Sequence, residues 1–487
     1  MYPRTYVCIL TLALSLLPAA AEAQATTSLM SNGDDMVGLK YGSGDEGPTE
    51  SVFVSSNGRY IAFVTDVRNL FDDHRAPAGI PAIAVRDTMT GELTAVTVST
   101  NGGFPDGPSF APTVTSDGRY VSFCSWASNL VAGDTNNQGD VFRRDMQTGT
   151  TVRVNVPYNG IWDSYDKTYC LTHAMSDDGR YVVFTTASSH MVPGDDNNSD
   201  DVFMRDLVTN TTYQVSVALG GGPGNESSIE PRIARDGRYV TWMSIASNLV
   251  AGTTTEGIRS YVRDMNPAGP VTSLVGDGGL PYISATGRYV AYSSLNMAGE
   301  SIQTYRLDRQ TGQRVLCSVA PNGTTPGNRD SMAVSVSDDG RYVCFVSKAR
   351  NIVAGDTNDE ADVFVRDLGV VPAVTTRVSV ANDGLQGNRA SGNADMSADG
   401  RYVAFSSASE DLVSLDINEA WDVFLRGPMF AVGFTLADAA NAVRIASGNT
   451  TAAPGDLAMD VVQTAPSTGR LDIMDAVEIA RAAAGLN

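Results

Sequence analysis

Four segments of the chain carry oxygen-bearing side chains at one spacing. They are Asp134, Asn136 and Asp140; Asp195, Asn197 and Asp201; Asp356, Asn358 and Asp362; and Asp416, Asn418 and Asp422. Oxygen ligands two residues apart, followed by another carboxylate, suit a hard cation such as Ca²⁺. The same residues also build Asx turns that need no metal. Both readings stand at this level. The pattern is absent or altered in the segments carrying Asp72, Thr253 and Met297, and no glycine sits where an EF-hand loop needs its sharp turn.

A second candidate is aromatic. Tyr158, Trp162, Tyr165 and Tyr169 fall in one stretch with Asp163 and Asp166 between them. Rings flanked by carboxylates suit stacking against a sugar or a protein surface, or packing of a long loop onto its scaffold. Catalytic chemistry has weaker support. The three histidines, His74, His173 and His190, share no metal-ligand spacing, and no G-x-S-x-G elbow occurs. Carboxylate pairs are abundant enough to keep a glycosidase in view, but none is singled out as catalytic.

These residues must be held by something, and the chain announces it by repetition. Gly-Arg-Tyr begins at Gly58, Gly118, Gly179, Gly237, Gly287, Gly340 and Gly400, at spacings of 60, 61, 58, 50, 53 and 60 residues. A fixed period of this length marks a repeat architecture. Each unit reads as four strands. In the second, Ser116-Asp117-Gly118 is a tight turn and Arg119–Ser125 an alternating strand. Asp140–Asp145 is the next strand, and Thr148-Gly149 turns it into Thr151–Val156. The spacing predicts an all-β fold, a seven-bladed β-propeller of four-stranded blades. The last unit stops after Trp421–Arg426 without a fourth strand, and Thr26–Met30 resembles the missing one. The two ends are expected to complete one blade and close the ring, which leaves no open edge there.

The phrases S-x-D-G-R-Y-V-x-F, D-V-F-x-R-D and T-G-x-T, over roughly residues 26–427, resemble the WD40-like propeller repeat of the TolB type. That resemblance implies a binding platform in many settings and an enzyme in some. It includes a metal-dependent lyase type that relies on several histidines, a set this chain does not supply.

The cations are skewed: three lysines (Lys40, Lys167, Lys348) against 31 arginines. Seven arginines lie in Gly-Arg-Tyr. Seven more are placed at the end of the third strand, at Arg86, Arg144, Arg205, Arg263, Arg306, Arg366 and Arg426. An aspartate follows five of these directly, which suggests local pairing or anchoring of a turn. In a four-strand meander the Asp-Gly and Thr-Gly turns share one face, and the two long connections share the other. Function usually sits on long loops held by a rigid scaffold, so the long-loop face is the candidate.

Residues 1–23 read as a secretory signal: Arg4, an apolar run from Val7 to Leu17, and Ala21-Glu22-Ala23 as the cleavage site. The expected location is secreted or extracellular, whether free, cell-surface associated or periplasmic. No other segment approaches the roughly 20 apolar residues of a membrane span. A formal charge of −21 disfavours nucleic acid, which requires clustered cations. Cys124, Cys170, Cys317 and Cys344 could form two disulfides in three pairings, or simply pack as small core residues.

After Gly427 the composition turns Ala-rich and helical. Thr435-Leu436-Ala437-Asp438 and Asp472-Ile473-Met474-Asp475 each open a helix with an N-cap and an acid three residues on. The phrase Gly469–Val477 resembles a type I dockerin, which gives residues 428–487 as a small C-terminal α-helical dockerin-like module. The resemblance implies a cohesin-like or cell-surface protein partner. The loops depart from it: before Asp475 the ligand places hold Thr464, Pro466 and Thr468, and before Asp438 they hold Gly427, Met429 and Ala431. That departure counts against calcium-driven folding of the pair. The favoured expectation is a secreted, non-catalytic propeller that presents its loop face to a protein or glycan. The alternative is an extracellular polysaccharide-active hydrolase or lyase with its site in the propeller funnel.

Overall fold

The structure, a computed structural model, describes residues 25–31, 52–65, 80–160, 172–253, 257–295, 301–414, 416 and 421–429. The signal-like segment, the helix starts Asp438, Asp472 and Asp475, and the whole dockerin-like module lie outside the described residues. So do Asn418, Trp162, Tyr165 and Tyr169.

Seven four-stranded antiparallel sheets follow one another along the chain. Blade 2 is representative, with strands Ser109–Val114, Tyr120–Ser125, Asp140–Asp145 and Thr150–Arg153 from inside to outside. Blade 7 takes its inner three strands from Ser391–Met396, Val403–Ser407 and Asp422–Gly427. Its outer strand is Thr26–Leu29 from the other end of the chain. The register pairs Thr26 with Gly427 and Leu29 with Phe424. The expected ring closure is therefore present, and Thr27 secures it. Its hydroxyl donates to Val380 O at 2.6 Å and accepts from the buried Arg426 at 2.7 Å.

The repeated turn explains why glycine and tyrosine recur together. Every Gly-Arg-Tyr glycine has φ between 68° and 77°, a left-handed conformation that a side chain resists. Each also lies directly on the tyrosine ring of the preceding blade. A Cβ on Gly118 would stand 2.6 Å from the Tyr60 ring, and one on Gly179 2.3 Å from that of Tyr120. The series continues around the circle until Gly58 meets Tyr402 of blade 7. Between blades, side chains such as Val64, Val85, Val121 and Phe123 interlock. Within blades, aromatic pairs such as Phe123–Phe142 and Phe345–Phe364 stack across neighbouring strands, 5.8 and 5.5 Å between centroids.

The arginine skew has a definite cause. Arg59, Arg119, Arg180, Arg238, Arg288 and Arg341 each reach across their hairpin. Each binds through Nε and an NH₂ nitrogen to both oxygens of the aspartate that ends the third strand, Asp87, Asp145, Asp206, Asp264, Asp308 or Asp367. The guanidinium also lies 4.7–4.9 Å from the centroid of its own neighbouring tyrosine. Lysine cannot make this planar, two-point contact. The pairing is thus not between sequence neighbours. In blades 2, 3, 4 and 6 the arginine beside the aspartate turns to the outer strand instead: Arg144, Arg205, Arg263 and Arg366 donate to Thr151, Thr212, Thr272 and Thr375.

Blade 5 corrects one assignment. Arg306 lies opposite Ala291, one place further from the turn than Arg86 or Arg144, and so matches Arg143. Both Arg143 and Arg306 donate at 2.7 Å to the turn glycine of the next blade, Gly179 and Gly340 respectively. The cysteines divide between the two readings left open. Cys124 is in a disulfide whose partner lies outside the described residues, whereas Cys317 and Cys344 are buried free thiols. Cys317 lies just past the outer strand of blade 5 and Cys344 in the second strand of blade 6, so the two-disulfide alternative is not what the structure holds.

At the tight-turn end the blades are tied together over the axis. Ala398 N–H donates to Ser56 O at 2.8 Å. The Ser56 hydroxyl and Ser116 N–H both donate to Asp177, at 3.1 and 2.7 Å. Asp177 N–H donates to Arg235 O, and Arg235 approaches Asp338 at 3.5 Å. Asp338 accepts from Ala285 N–H and donates its own N–H to Ala398 O. All seven blades contribute to this network.

Candidate functional site

The second aspartate of each acidic loop opens a third strand at the long-loop end of its blade. Asp140, Asp201, Asp362 and Asp422 are all essentially fully buried. A short hydroxyl or amide two residues beyond the outer-strand pair holds each one. Asn155 donates to Asp140 at 2.6 Å and Ser379 to Asp362 at 2.6 Å, and Ser216 and Ser31 do the same for Asp201 and Asp422. The first aspartates are buried as well: Asp195 and Asp416 retain 7% and 6% of their surface, and the side chains of Asp134 and Asp356 retain 4% and 2%. The sequence pattern thus builds pockets beneath the loops, with the carboxylates turned inward.

What fills the pocket differs between blades. In blade 2, Arg153 from the outer strand sets one guanidinium nitrogen 2.7 Å from Asp134 and another 3.5 Å from Asp140. In blade 6, Arg377 lies 3.3 Å from Asp356 and 3.4 Å from Asp362. These two blades carry their cation internally. In blade 3 the outer-strand place opposite Phe203 is Gln214, where Arg153 faces Phe142 and Arg377 faces Phe364. In blade 7 it is Leu29, opposite Phe424. Blade 5 has the neutral Gln303 where blades 2, 3, 6 and 7 have aspartate, and its amide is satisfied by Ser318, Gly327 and Arg329.

Burial shapes the acidity of these groups. It pushes Asp140 and Asp362 up to about 6 even with an arginine beside them, and Asp201 up to about 6. Asp195, desolvated and then repelled by Asp201, goes up to about 7. Asn197 bridges the loop: its side-chain N–H₂ donates to Asp201 at 2.8 Å and to Gly224 O at 2.7 Å. Asn136 and Asn358 make the matching contacts in blades 2 and 6, to Asp140 and to Gly387 O. Their oxygens accept from the backbone two residues on, which is Asx-turn chemistry. Among the described residues, no group of three or more His, Cys, Asp and Glu side chains converges as a metal site.

The long-loop surface itself is apolar in places the loop motifs did not flag. Trp126 follows the second strand of blade 2, exposed by 42% and edge-on to Phe110 at 5.8 Å. Ile245 and Leu295 stand at the corresponding ends in blades 4 and 5, and Met332 begins blade 6; all three are exposed. The signal was available in the repeat. The residue after each R-Y-x-x-x-x-x strand varies, and in three units it is Trp, Ile or Leu. Tyr158, of the expected aromatic stretch, is exposed by 56% and donates its N–H to His190 O. His173 is buried at the start of the innermost strand of blade 3, and His190 lies half-buried in a loop.

No family model matches the chain, and no curated protein matches it. Among solved structures it is similar to TolB from Acinetobacter baumannii, at 14% identity over 77% of this chain and 65% of that one, with a TM-score of 0.37. It is also similar to an oligogalacturonate lyase from Vibrio parahaemolyticus, at 13% identity over 84% and 98% of the two chains, TM-score 0.47. A putative TolB from Agrobacterium tumefaciens matches at 14% identity over 55% and 79%, TM-score 0.34. The chain spans about two thirds of the Acinetobacter protein. The likeness is one of propeller fold, and carries nothing about activity. Among the described residues no helix is long and apolar enough to cross a membrane.

Proposed function

We propose that this is an exported, non-catalytic binding propeller that offers its long-loop face to a protein or glycan. Residues 428–487 serve as a dockerin-like tether to a cohesin-like or cell-surface partner. The observation that carries the reading is the exposed apolar set on that face: Trp126, Ile245, Leu295 and Met332. It stands on a ring whose other end is tied shut by hydrogen bonds. Large apolar side chains held at strand ends have lost their freedom before any partner arrives, which suits them to anchor one.

The test is retention of the full chain on a panel of insoluble and immobilised polysaccharides and on proteins of the culture supernatant. Trp126→Ala and Leu295→Ser should weaken retention by tenfold or more without moving the melting temperature. A chain ending at Met429 should keep this binding and lose attachment to cells. Retention equal in all variants would refute the assigned face. Released sugars or unsaturated products, abolished by a carboxylate change on the loop face, would establish the polysaccharide-active alternative instead.

A further inference from the structure

Blades 2, 3 and 6 are built on one plan at the long-loop end, and one of the three lacks a part. Each buries two aspartate side chains under its loop, at the first and seventh positions of the same motif. Blades 2 and 6 hold a guanidinium against that pair, supplied by Arg153 and Arg377. Blade 3 has Gln214 at that place, so the same pocket keeps two carboxylates and loses its one positive charge. The consequence is visible atom by atom. Asp195 is more than nine-tenths buried, and its Oδ1 has no hydrogen-bond partner. The Gln214 side-chain nitrogen is buried too and is directed at Asp201, a neutral donor where the sister blades set a guanidinium.

An unpaired buried carboxylate oxygen is costly unless something meets it. Here a cation is the fitting occupant, because the sister pockets hold one. The charge sets the class: two carboxylates without an arginine balance a divalent ion. The donors are all hard oxygens, from Asp195, Asp201 and, with the amide turned, Gln214, which is calcium chemistry.

The geometry points to a Ca²⁺ site in blade 3 formed by Asp195, Asp201 and Gln214, in the pocket that Arg153 and Arg377 fill in blades 2 and 6. The ion takes the structural role of the arginine and braces the loop that leads from Asp195 into the third strand. This goes beyond the binding face and does not depend on it. It also separates blade 3 from blades 2 and 6, where the same acidic motif is already neutralised from within.

The experiment uses the full chain freed of metal with EDTA, then titrated with CaCl₂ by calorimetry and thermal melting. Wild type is expected to bind Ca²⁺ saturably and to melt several degrees higher with it. Gln214→Arg installs the sister blades' cation. It should lose one calcium equivalent and melt higher than wild type in EDTA. Asp195→Asn, nearly isosteric and one charge less, should also lose that equivalent while folding normally in EDTA. Arg377→Lys in blade 6 should leave the count unchanged. No heat and no melting shift in wild type would overturn the assignment, as would an undiminished calcium count in both Gln214→Arg and Asp195→Asn.

Discussion

The contact between each turn glycine and the tyrosine of the preceding blade can be tested by adding one methyl group. Gly179→Ala meets two penalties. The first is backbone: φ is +68°, and a left-handed alanine costs about 1–2 kcal/mol. The second is steric. The new Cβ would stand 2.3 Å from Cδ2 and 2.5 Å from Cγ of Tyr120. That ring cannot swing aside, because the Arg119 and Arg143 guanidinia flank it at 4.7 and 4.4 Å, and Arg143 also donates to Gly179 O. Overpacking of this kind costs about 1–3 kcal/mol, so the substitution should cost about 2–5 kcal/mol in all. Gly133→Ala is the control: φ is +78° and nothing lies within 4 Å of its Cβ, so only the backbone part remains. For a ring of ~400 residues, 1 kcal/mol corresponds to about 1 °C in melting temperature. Circular dichroism melts should then fall by about 2–6 °C for Gly179→Ala and about 1–2 °C for Gly133→Ala. In a Tyr120→Ala background the Gly179 substitution should cost only what Gly133→Ala costs. Equal losses at the two glycines, or an unchanged cost without the tyrosine, would refute the interlock.

Deleting residues 24–32 removes the outer strand of blade 7 and leaves Arg426 and Asp422 without Thr27 and Ser31; the melting temperature should drop further than for any single substitution above, and an unchanged melt would refute closure by this strand. The pH dependence has a sign on each side. Bonding to their arginines holds Asp87, Asp145, Asp206, Asp264 and Asp308 below the usual carboxylate range, Asp145 at about 2, so their stabilisation is lost as pH falls from about 4 toward 2. Burial holds Asp140, Asp362 and Asp395 up at about 6, so theirs is present below about 4 and lost as pH rises through 6. Melting temperature should peak near pH 4 in calcium-free buffer, and a steady rise from pH 4 to 7 would contradict this. Burial pushes the Cys317 thiol up to about 12 and Cys344 up as well, so neither should react with an aromatic disulfide reagent at pH 8 until the chain is unfolded. Rapid labelling of the native protein would refute their burial.

Much of the ring was legible because its determinants are local. A glycine that must take positive φ, an alternating strand and a short turn each leave a mark within ten residues. Seven copies of that mark count the blades. Even the closing strand could be read, since Thr26–Leu29 resembles the outer strands of other units. The acidic loops were legible as a pattern but not as pockets. Their aspartates look like surface ligands in a linear motif, yet strand alternation turns Asp140 and Asp201 into the blade. The apolar rim was harder, because Trp126, Ile245 and Leu295 each stand alone in the chain and share only a position relative to the repeat.

By itself the amino-acid sequence determined the number of blades, the place of every Gly-Arg-Tyr turn and the pairing of the chain's two ends. Turn conformation and strand alternation are set by neighbouring residues. The tertiary structure decided who meets whom. Arg119 gives the aspartate two residues before it only its backbone N–H, and its guanidinium takes Asp145 across the hairpin. Tyr120 finds its contact in the next blade at Gly179. The charge of each loop pocket depends on an outer-strand residue more than ten positions downstream, arginine in blades 2 and 6 and Gln214 in blade 3. Such partners are chosen by register and packing, which act between segments and leave no trace in the spacing of any one of them.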